Sequence, residues 1–254
     1  MHLERAKVIE HREVGGLYRL LAVAAPAIGA EVRPGQFVHV RVPNLDGSVL
    51  RRPFSVFRAD GSGLSILYKS VGRGTRAMPS LKPGDEVSLL GPLGNGFPAG
   101  DAPAVPLLVA GGYGVAALYM LARSLARPGI LFEGAATAAE ILCRQEFEDA
   151  GWPVRVAAED GSVGHKGRVT EILDLWLRHE RDGRPVEIYA CGPMGMLKAV
   201  AERAIAAGAK AWLSMDRHMG CGVGACLTCV QRVRHPGMDQ TRWARVCKDG
   251  PVFE

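Results

Sequence analysis

Three cysteines, Cys221, Cys226 and Cys229, stand in the run GCGVGACLTC, and a fourth, Cys247, follows in RVCKDGPVF. The spacing is C-x4-C-x2-C, then seventeen residues, then a lone cysteine. Three close thiolates and one distant one form the plant-type pattern for a [2Fe–2S] cluster, a one-electron centre. Gly220, Gly222 and Gly224 are interleaved with them. Without a Cβ the backbone can curl tightly there and turn its N–H groups toward sulfur. Structural zinc takes its ligands as two close pairs, whereas Cys247 has no near partner, so the iron–sulfur reading stands over zinc. Disulfides belong to oxidising compartments. The charged stretch MHLERAKVIEHREV does not read as a secretory signal, so the cytoplasm is the expected location. Cys143, in the helical pattern AAEILCRQEFE, reads as a small buried apolar residue.

A second set of residues suits a flavin dinucleotide. In Leu50-Arg51-Arg52-Pro53-Phe54-Ser55, Arg52 offers a guanidinium fork for a pyrophosphate, Ser55 a hydrogen bond for a ring edge, and Phe54 an apolar surface. An ordinary Arg-Pro turn entering a strand is the competing reading. Shortly afterwards, in LYKSVGRGTRAM, Gly72-Arg73-Gly74-Thr75 would open a short helix with Thr75 as its N-cap. A helix N-terminus receives anions, though a glycine turn capped by threonine explains the same letters. Two phosphate-suited elements in one segment favour a bound dinucleotide.

A third set suits a nicotinamide dinucleotide. VPLLVAGGYGVAALYMLA reads as strand, glycine turn and helix, with Gly111, Gly112 and Gly114 where a backbone can approach a phosphate. The run is not a full G-x-G-x-x-G, and glycines there also serve packing alone. IYACGPMGML repeats the arrangement, so Cys191, Gly192, Pro193 and Met194 would share the crevice at the strand ends. The Cys191 thiol could meet a nicotinamide ring or be buried structure.

Elements to hold these groups are legible along the chain. Residues 1–100 carry short strand patterns (AKVIEHREV, YRLLAVAAP, QFVHVRV, LSILYKSV, EVSLLG) separated by Pro/Gly turns, as in a small antiparallel barrel. Residues 101–213 alternate the strand patterns VPLLVAGG, GILFEGAA, PVRVAAED and PVEIYACG with helical ones, including AAEILCRQEFEDA, which predicts a parallel sheet faced by helices. A last strand, AWLSMD, leads into residues 214–254, too few to bury a good core alone. The 254 residues carry a net charge of +5 without a basic block, which argues against nucleic-acid binding. No uninterrupted apolar run is long enough to cross a bilayer.

The ordered set RRPFS, LYKSVGRGT, GPLGNGF, VAGGYGV, DGSVGHKG, ACGPMGML, MGCGVGACLTC and VCKDGPVF resembles one family over essentially the whole chain. It is similar to the electron-transfer subunits of NAD-dependent (class 1B) dihydroorotate dehydrogenases, within the ferredoxin–NADP reductase superfamily. The resemblance implies a flavin barrel, a nicotinamide-binding α/β domain and a small [2Fe–2S] domain. Carried over, FAD contacts fall on Arg52, Pro53, Phe54, Ser55, Leu67, Tyr68, Lys69, Gly74 and Thr75. Cluster ligands fall on Cys221, Cys226, Cys229 and Cys247. It also implies an FMN-containing catalytic subunit that oxidises dihydroorotate in pyrimidine biosynthesis, joined in a heterotetramer. Arg217, Arg232 and Arg234 would then lie near that partner. Relatives often carry prolines where this chain has Ala116 and Ala117, which weakens the nicotinamide assignment. The same cofactors would also suit a subunit serving a sulfide dehydrogenase, a hydrogenase or a glutamate synthase-like flavoprotein. A zinc-stabilised nucleotide-binding regulator is the non-enzymatic reading.

Overall fold

A computed structural model of the chain describes residues 1–43, 47, 49–100, 103–234 and 240–254. Contacts gather them into two units: Met1–Gly96 with Arg217–Pro251, and Phe97–Asp216 with Val252–Glu254. The expected divisions stand at 100/101 and 213/214, and residues 101–102 lie outside the described residues.

In the first unit, strands β1 (His2–Gly15), β2 (Tyr18–Ala24), β3 (Phe37–Arg41), β4 (Arg52–Asp60), β5 (Gly63–Lys69) and β6 (Glu86–Leu93) form a closed antiparallel barrel in the order β1-β2-β5-β4-β3-β6. Closure leaves no unpaired edge. The two-residue period of a strand sets the inside: Val87, Leu89, Gly91 and Leu93 of β6 are buried, and the residues between them are partly or fully exposed. On β3, Val38 faces Gly91, while Phe37 and His39 alternate to the other side. Helix α1 (Pro26–Glu31) places Ile28 fully out of solvent, and its Ile28 N–H donates to Glu4 Oε2 at 3.1 Å.

The cysteine segment is held on this barrel by named contacts. Asn95 N–H donates to the Gly250 carbonyl at 2.6 Å, and Asn95 Nδ2 donates to the carbonyls of Lys248 and Asp249. Phe37 packs where a Cβ on Gly94 would stand, beside Pro251. The GPLGNGF run therefore ends the barrel and anchors the loop that bears Cys247.

In the second unit, β7 (Val105–Gly111), β8 (Ile130–Ala135), β9 (Val154–Ala158), β10 (His165–Lys166), β11 (Val186–Cys191) and β12 (Lys210–Ser214) are parallel neighbours in the order β10-β9-β8-β7-β11-β12. Helices α3 (Val115–Ser124), α4 (Arg144–Asp149), α5 (Val169–His179) and α6 (Met194–Ala206) connect the strands. Leu107 and Val109 of β7 join Phe132, Leu173, Trp176, Ile188 and Val200 in one core. Trp152, also buried, donates its indole N–H to the Ala122 carbonyl on α3 at 3.1 Å.

The helix expected over AAEILCRQEFEDA is broken. Leu142 N–H turns aside to the buried Glu133 carboxylate at 2.7 Å, and Cys143 takes left-handed backbone (φ 58°). A three-residue turn, Ala138–Glu140, and the short α4 replace one continuous helix. The C-terminal Val252–Phe253 strand, unforeseen from the sequence, pairs antiparallel with β12.

Candidate functional site

The four cysteines converge as two pairs. Cys221 and Cys226 lie within hydrogen-bonding reach of each other, and Cys247 stands beside Cys229, donating its backbone N–H to Cys229 Sγ at 3.4 Å. Two irons each bound by two thiolates require that grouping. Among the described residues, no three His, Cys, Asp or Glu side chains converge as a single-ion site would require. Cys221 Sγ accepts N–H groups from Val223, Ala225 and Cys226 at 3.5, 3.3 and 3.4 Å. Burial opposes ionisation there, but those N–H groups outweigh it and hold the thiol below its ordinary range. The Thr228 hydroxyl, at 3.3 Å, brings Cys226 down to about 6, whereas burial pushes Cys247 up to about 12. Thiolates are the ligating form, so Cys221 and Cys226 are poised to bind, whereas at Cys247 a metal must displace the proton.

The loop shape follows from its glycines. Gly222 and Gly224 have φ of +74° and +85°, which side chains rarely adopt. Cys247 rides on α7 (Val246–Asp249), which is clamped at its start. Asp249 accepts from the Arg245 guanidinium at 2.9 and 3.1 Å and from the Arg245 N–H at 2.8 Å. Strands β13 (Val230–Arg234) and β14 (Thr241–Arg245) form a hairpin between the third and fourth cysteines.

Of the two neighbouring arginines, Arg51 is committed to structure: its guanidinium donates to the Ser88 carbonyl and hydroxyl at 2.7 and 3.0 Å. Arg52 opens β4 and lies over Gly74, where an added Cβ would stand 2.9 Å from Arg52 Nε. The two phosphate-suited elements thus meet. Phe54 is half-buried and meets Tyr68 edge-on at 5.8 Å. Pro53 and Ser55 pair with His39 and Phe37 across β3, so they share a face with them.

Helix α2 (Arg73–Ala77) corrects one expectation. Its N-cap is Gly72, and Thr75 stands at the third helical position, where its hydroxyl accepts the N–H groups of Val71 and Gly72 at 3.0 and 2.9 Å. Threonine reaching back from there satisfies donors that the cap residue, lacking a side chain, leaves open. Leu67 and Tyr68 are buried in β5, and the Tyr68 hydroxyl is engaged with His11 Nε2 at 2.9 Å. Lys69 lies with its ammonium 4.9 Å from the Tyr18 ring centroid. Contacts from residues 67–68 to a ligand would therefore come from backbone.

The two glycine turns of the second unit pack into each other. A Cβ on Gly114 would stand 2.2 Å from the Cys191 carbonyl oxygen, and one on Gly111 2.7 Å from Pro193 Cδ. Gly192 is similarly confined by Met196 and the Gly111 N–H. Close packing thus accounts for Gly111, Gly114 and Gly192, while Gly112 is needed for its φ of +52°. Cys191 is buried, its thiol raised to about 12 by that burial despite a bond to Ser214. Met194 opens α6, and Ala116 and Ala117 are buried in the first turn of α3. Tyr113 donates its hydroxyl to Asp216 at 3.0 Å, a pair that sequence spacing did not suggest.

His39 was also missed. It is fully buried, neither ring nitrogen has a hydrogen-bond partner among the described residues, and burial with the nearby Arg51 charge lowers its pKa to about 4. A lone polar residue inside the apolar run QFVHVRV was the available signal.

Residues 216–254 match the family model described as the iron-sulfur cluster binding domain of dihydroorotate dehydrogenase B. The chain is 41% identical over 258 residues to a dihydroorotate dehydrogenase B (NAD(+)), electron transfer subunit, of Geobacillus thermodenitrificans, spanning 98% of this chain and 96% of that one. It is 40% identical over 260 residues to the like-named protein of Bacillus caldolyticus. Among solved structures, a chain of an NADH-dependent reduced ferredoxin–NADP oxidoreductase superposes with a TM-score of 0.84 at 30% identity, covering 98% of this chain and 87% of that one. A ferredoxin reductase of carbazole 1,9a-dioxygenase, at 20% identity and TM-score 0.69, shares the fold over 82% of this chain and 66% of that one.

Proposed function

The chain belongs to the family of dihydroorotate dehydrogenase B (NAD⁺) electron transfer subunits, and from that premise we propose that it links a dihydroorotate-oxidising catalytic subunit to NAD in pyrimidine biosynthesis. When bound, FAD would exchange a hydride with the nicotinamide, and the [2Fe–2S] cluster would pass electrons singly between that FAD and the FMN of the partner. The protein's own residues bind, orient and insulate. In this reading Cys221, Cys226, Cys229 and Cys247 hold the irons, and the N–H groups around Cys221 stabilise charge on the cluster sulfurs. Arg52 holds the FAD pyrophosphate beside Gly74, with Pro53, Phe54, Ser55 and the backbone of residues 67–69 along the flavin, and Thr75 shapes the turn. Gly111, Gly112, Gly114 and Cys191–Met194 form the crevice for NAD at the strand ends. The cofactor divisions are 1–100, 101–213 and 214–254.

The carrying observation is the pairing of the four sulfurs on a loop anchored to the barrel that bears Arg52. The partner, an FMN-containing subunit in a heterotetramer, is proposed to dock around the cysteine loop. Leu227 and Trp243 are 61% and 71% exposed there, and Arg217, Arg232 and Arg234 are exposed nearby. A cytoplasmic location is part of this reading, in keeping with four thiols kept for metal ligation. No helix among the described residues is long and apolar enough to cross a membrane.

The test is purification followed by the visible spectrum, flavin, iron and sulfide analysis, then co-expression with the catalytic subunit. One FAD, one two-iron cluster and dihydroorotate-dependent NAD⁺ reduction are expected. Association with another oxidoreductase and no orotate formation would overturn the partner; colourless protein holding zinc would overturn the cofactors.

A further inference from the structure

The flavin strand and the cluster loop touch one residue in common. His39 lies on β3 directly across from Pro53 and on the same face as Ser55's partner Phe37, whose ring centroid is 5.7 Å away. Above it sits Gly222, the residue after Cys221. A Cβ built on Gly222 would stand 2.8 Å from His39 Cε1 and 3.0 Å from both ring nitrogens. Near-equal distances to three ring atoms mean that the glycine lies over the imidazole face. Only a residue without a side chain can do so, independently of its φ.

The ring edge carries the chemistry. Both nitrogens are buried and have no hydrogen-bond partner among the described residues. Leaving such a group unsatisfied is expensive, and native proteins rarely do it without a functional reason. A neutral imidazole has one N–H donor and one acceptor nitrogen. Around His39 the barrel offers apolar Phe37 and Pro53, while the Arg51 guanidinium is turned to Ser88. The acceptors that belong to this region by the functional reading above are cluster sulfurs.

We propose that His39 seats the cysteine loop on the flavin strand and donates its ring N–H to a sulfur of the loaded [2Fe–2S] cluster, raising the cluster's reduction potential. Hydrogen bonds to sulfur stabilise the more negative, reduced state. His39 is thus a positioning residue that joins the two cofactor sites through one side chain.

The inference rests on the proposed cofactor content, and its test separates the two. The full-length wild-type chain and the variants His39→Leu and His39→Gln are purified and analysed for iron, sulfide and FAD. The cluster potential is then measured by electron paramagnetic resonance in a redox titration. Protein labelled with ¹⁵N-histidine is reduced, and pulsed resonance is used to look for nitrogen coupled to the cluster spin. The wild type is expected to show this coupling and His39→Leu to lose it. In His39→Leu the equilibrium constant for cluster reduction falls about tenfold, equivalent to about 59 mV for one electron. His39→Gln, which keeps an N–H donor, is expected to recover most of the potential. If His39→Leu fails to load a cluster, His39→Gln with the labelled wild type still decides the question. No histidine coupling in the wild type overturns the proposal, as does an unchanged potential in loaded His39→Leu or a shift confined to the flavin. Wild-type protein without iron would instead overturn the functional reading.

Discussion

At the scale of single residues, charge and donor placement separate neighbours that look alike in sequence. Arg51 and Arg52 are adjacent, yet one guanidinium is tied to Ser88 and the other lies over Gly74. Arg52→Ala is therefore expected to weaken FAD binding by roughly tenfold to a hundredfold, the loss of a charge-assisted hydrogen bond. Equilibrium dialysis or flavin retention on gel filtration would measure it, and an unchanged FAD content would remove Arg52 from the site. Arg51→Ala should instead loosen the β4–β6 region and lower the melting temperature. Cys226 differs from Cys247 in the same manner, exposed and activated against buried and protonated. Cys226→Ala leaves one iron with a single thiolate, so the cluster should be lost while FAD remains. Two irons per chain in that variant would refute the ligand set.

Elements explain why some assignments were legible and others were not. The barrel and the parallel sheet announced themselves through period-two alternation in EVSLLG and through apolar runs such as VPLLVAGG, signals carried by many residues at once. The cysteine spacing was legible because four rare residues carried it. The break before α4 was not, because it depends on Leu142 reaching Glu133, a contact made only in the folded sheet. Thr75 likewise looked like a cap, since its hydroxyl reaches the same donors from inside the helix. In the glycine turns, sequence left both phosphate approach and packing open, and packing accounts for Gly111 and Gly114. Gly114→Ala should accordingly destabilise the second unit by about 1–3 kcal/mol, since a methyl would meet the Cys191 carbonyl and the backbone must shift. Gly195→Ala, in α6 with nothing within 4 Å of its Cβ, should be neutral or stabilising by about 0.5–1 kcal/mol. Thermal melting of the two variants checks both, and equal effects would mean that the close packing of the two turns does not matter.

For the molecule as a whole, one buried carboxyl sets a pH dependence of stability. Glu133 sits on β8 between Ala110 and Val156, fully buried, with Oε1 accepting Leu142 N–H and Oε2 unpartnered among the described residues. Burial pushes its pKa up to about 8, only partly offset by the Leu142 N–H and Arg144. In the unfolded chain the carboxyl returns to its ordinary value of 4.5. A folded-state pKa raised above the unfolded one means that the folded protein holds its proton more tightly. Stability is then fully present below the unfolded value and is lost as pH rises through the folded one. Between about pH 6 and pH 9 the loss is on the order of 2 kcal/mol, which corresponds to roughly 4–8 °C in melting temperature for a chain of this size. Glu133→Gln keeps an oxygen for Leu142 and has no proton to lose. Its melting temperature should change less over that range and exceed the wild type's at the alkaline end. Parallel melting curves for the two proteins across the range would show that Glu133 stays charged in the fold and that its burial is compensated by a partner.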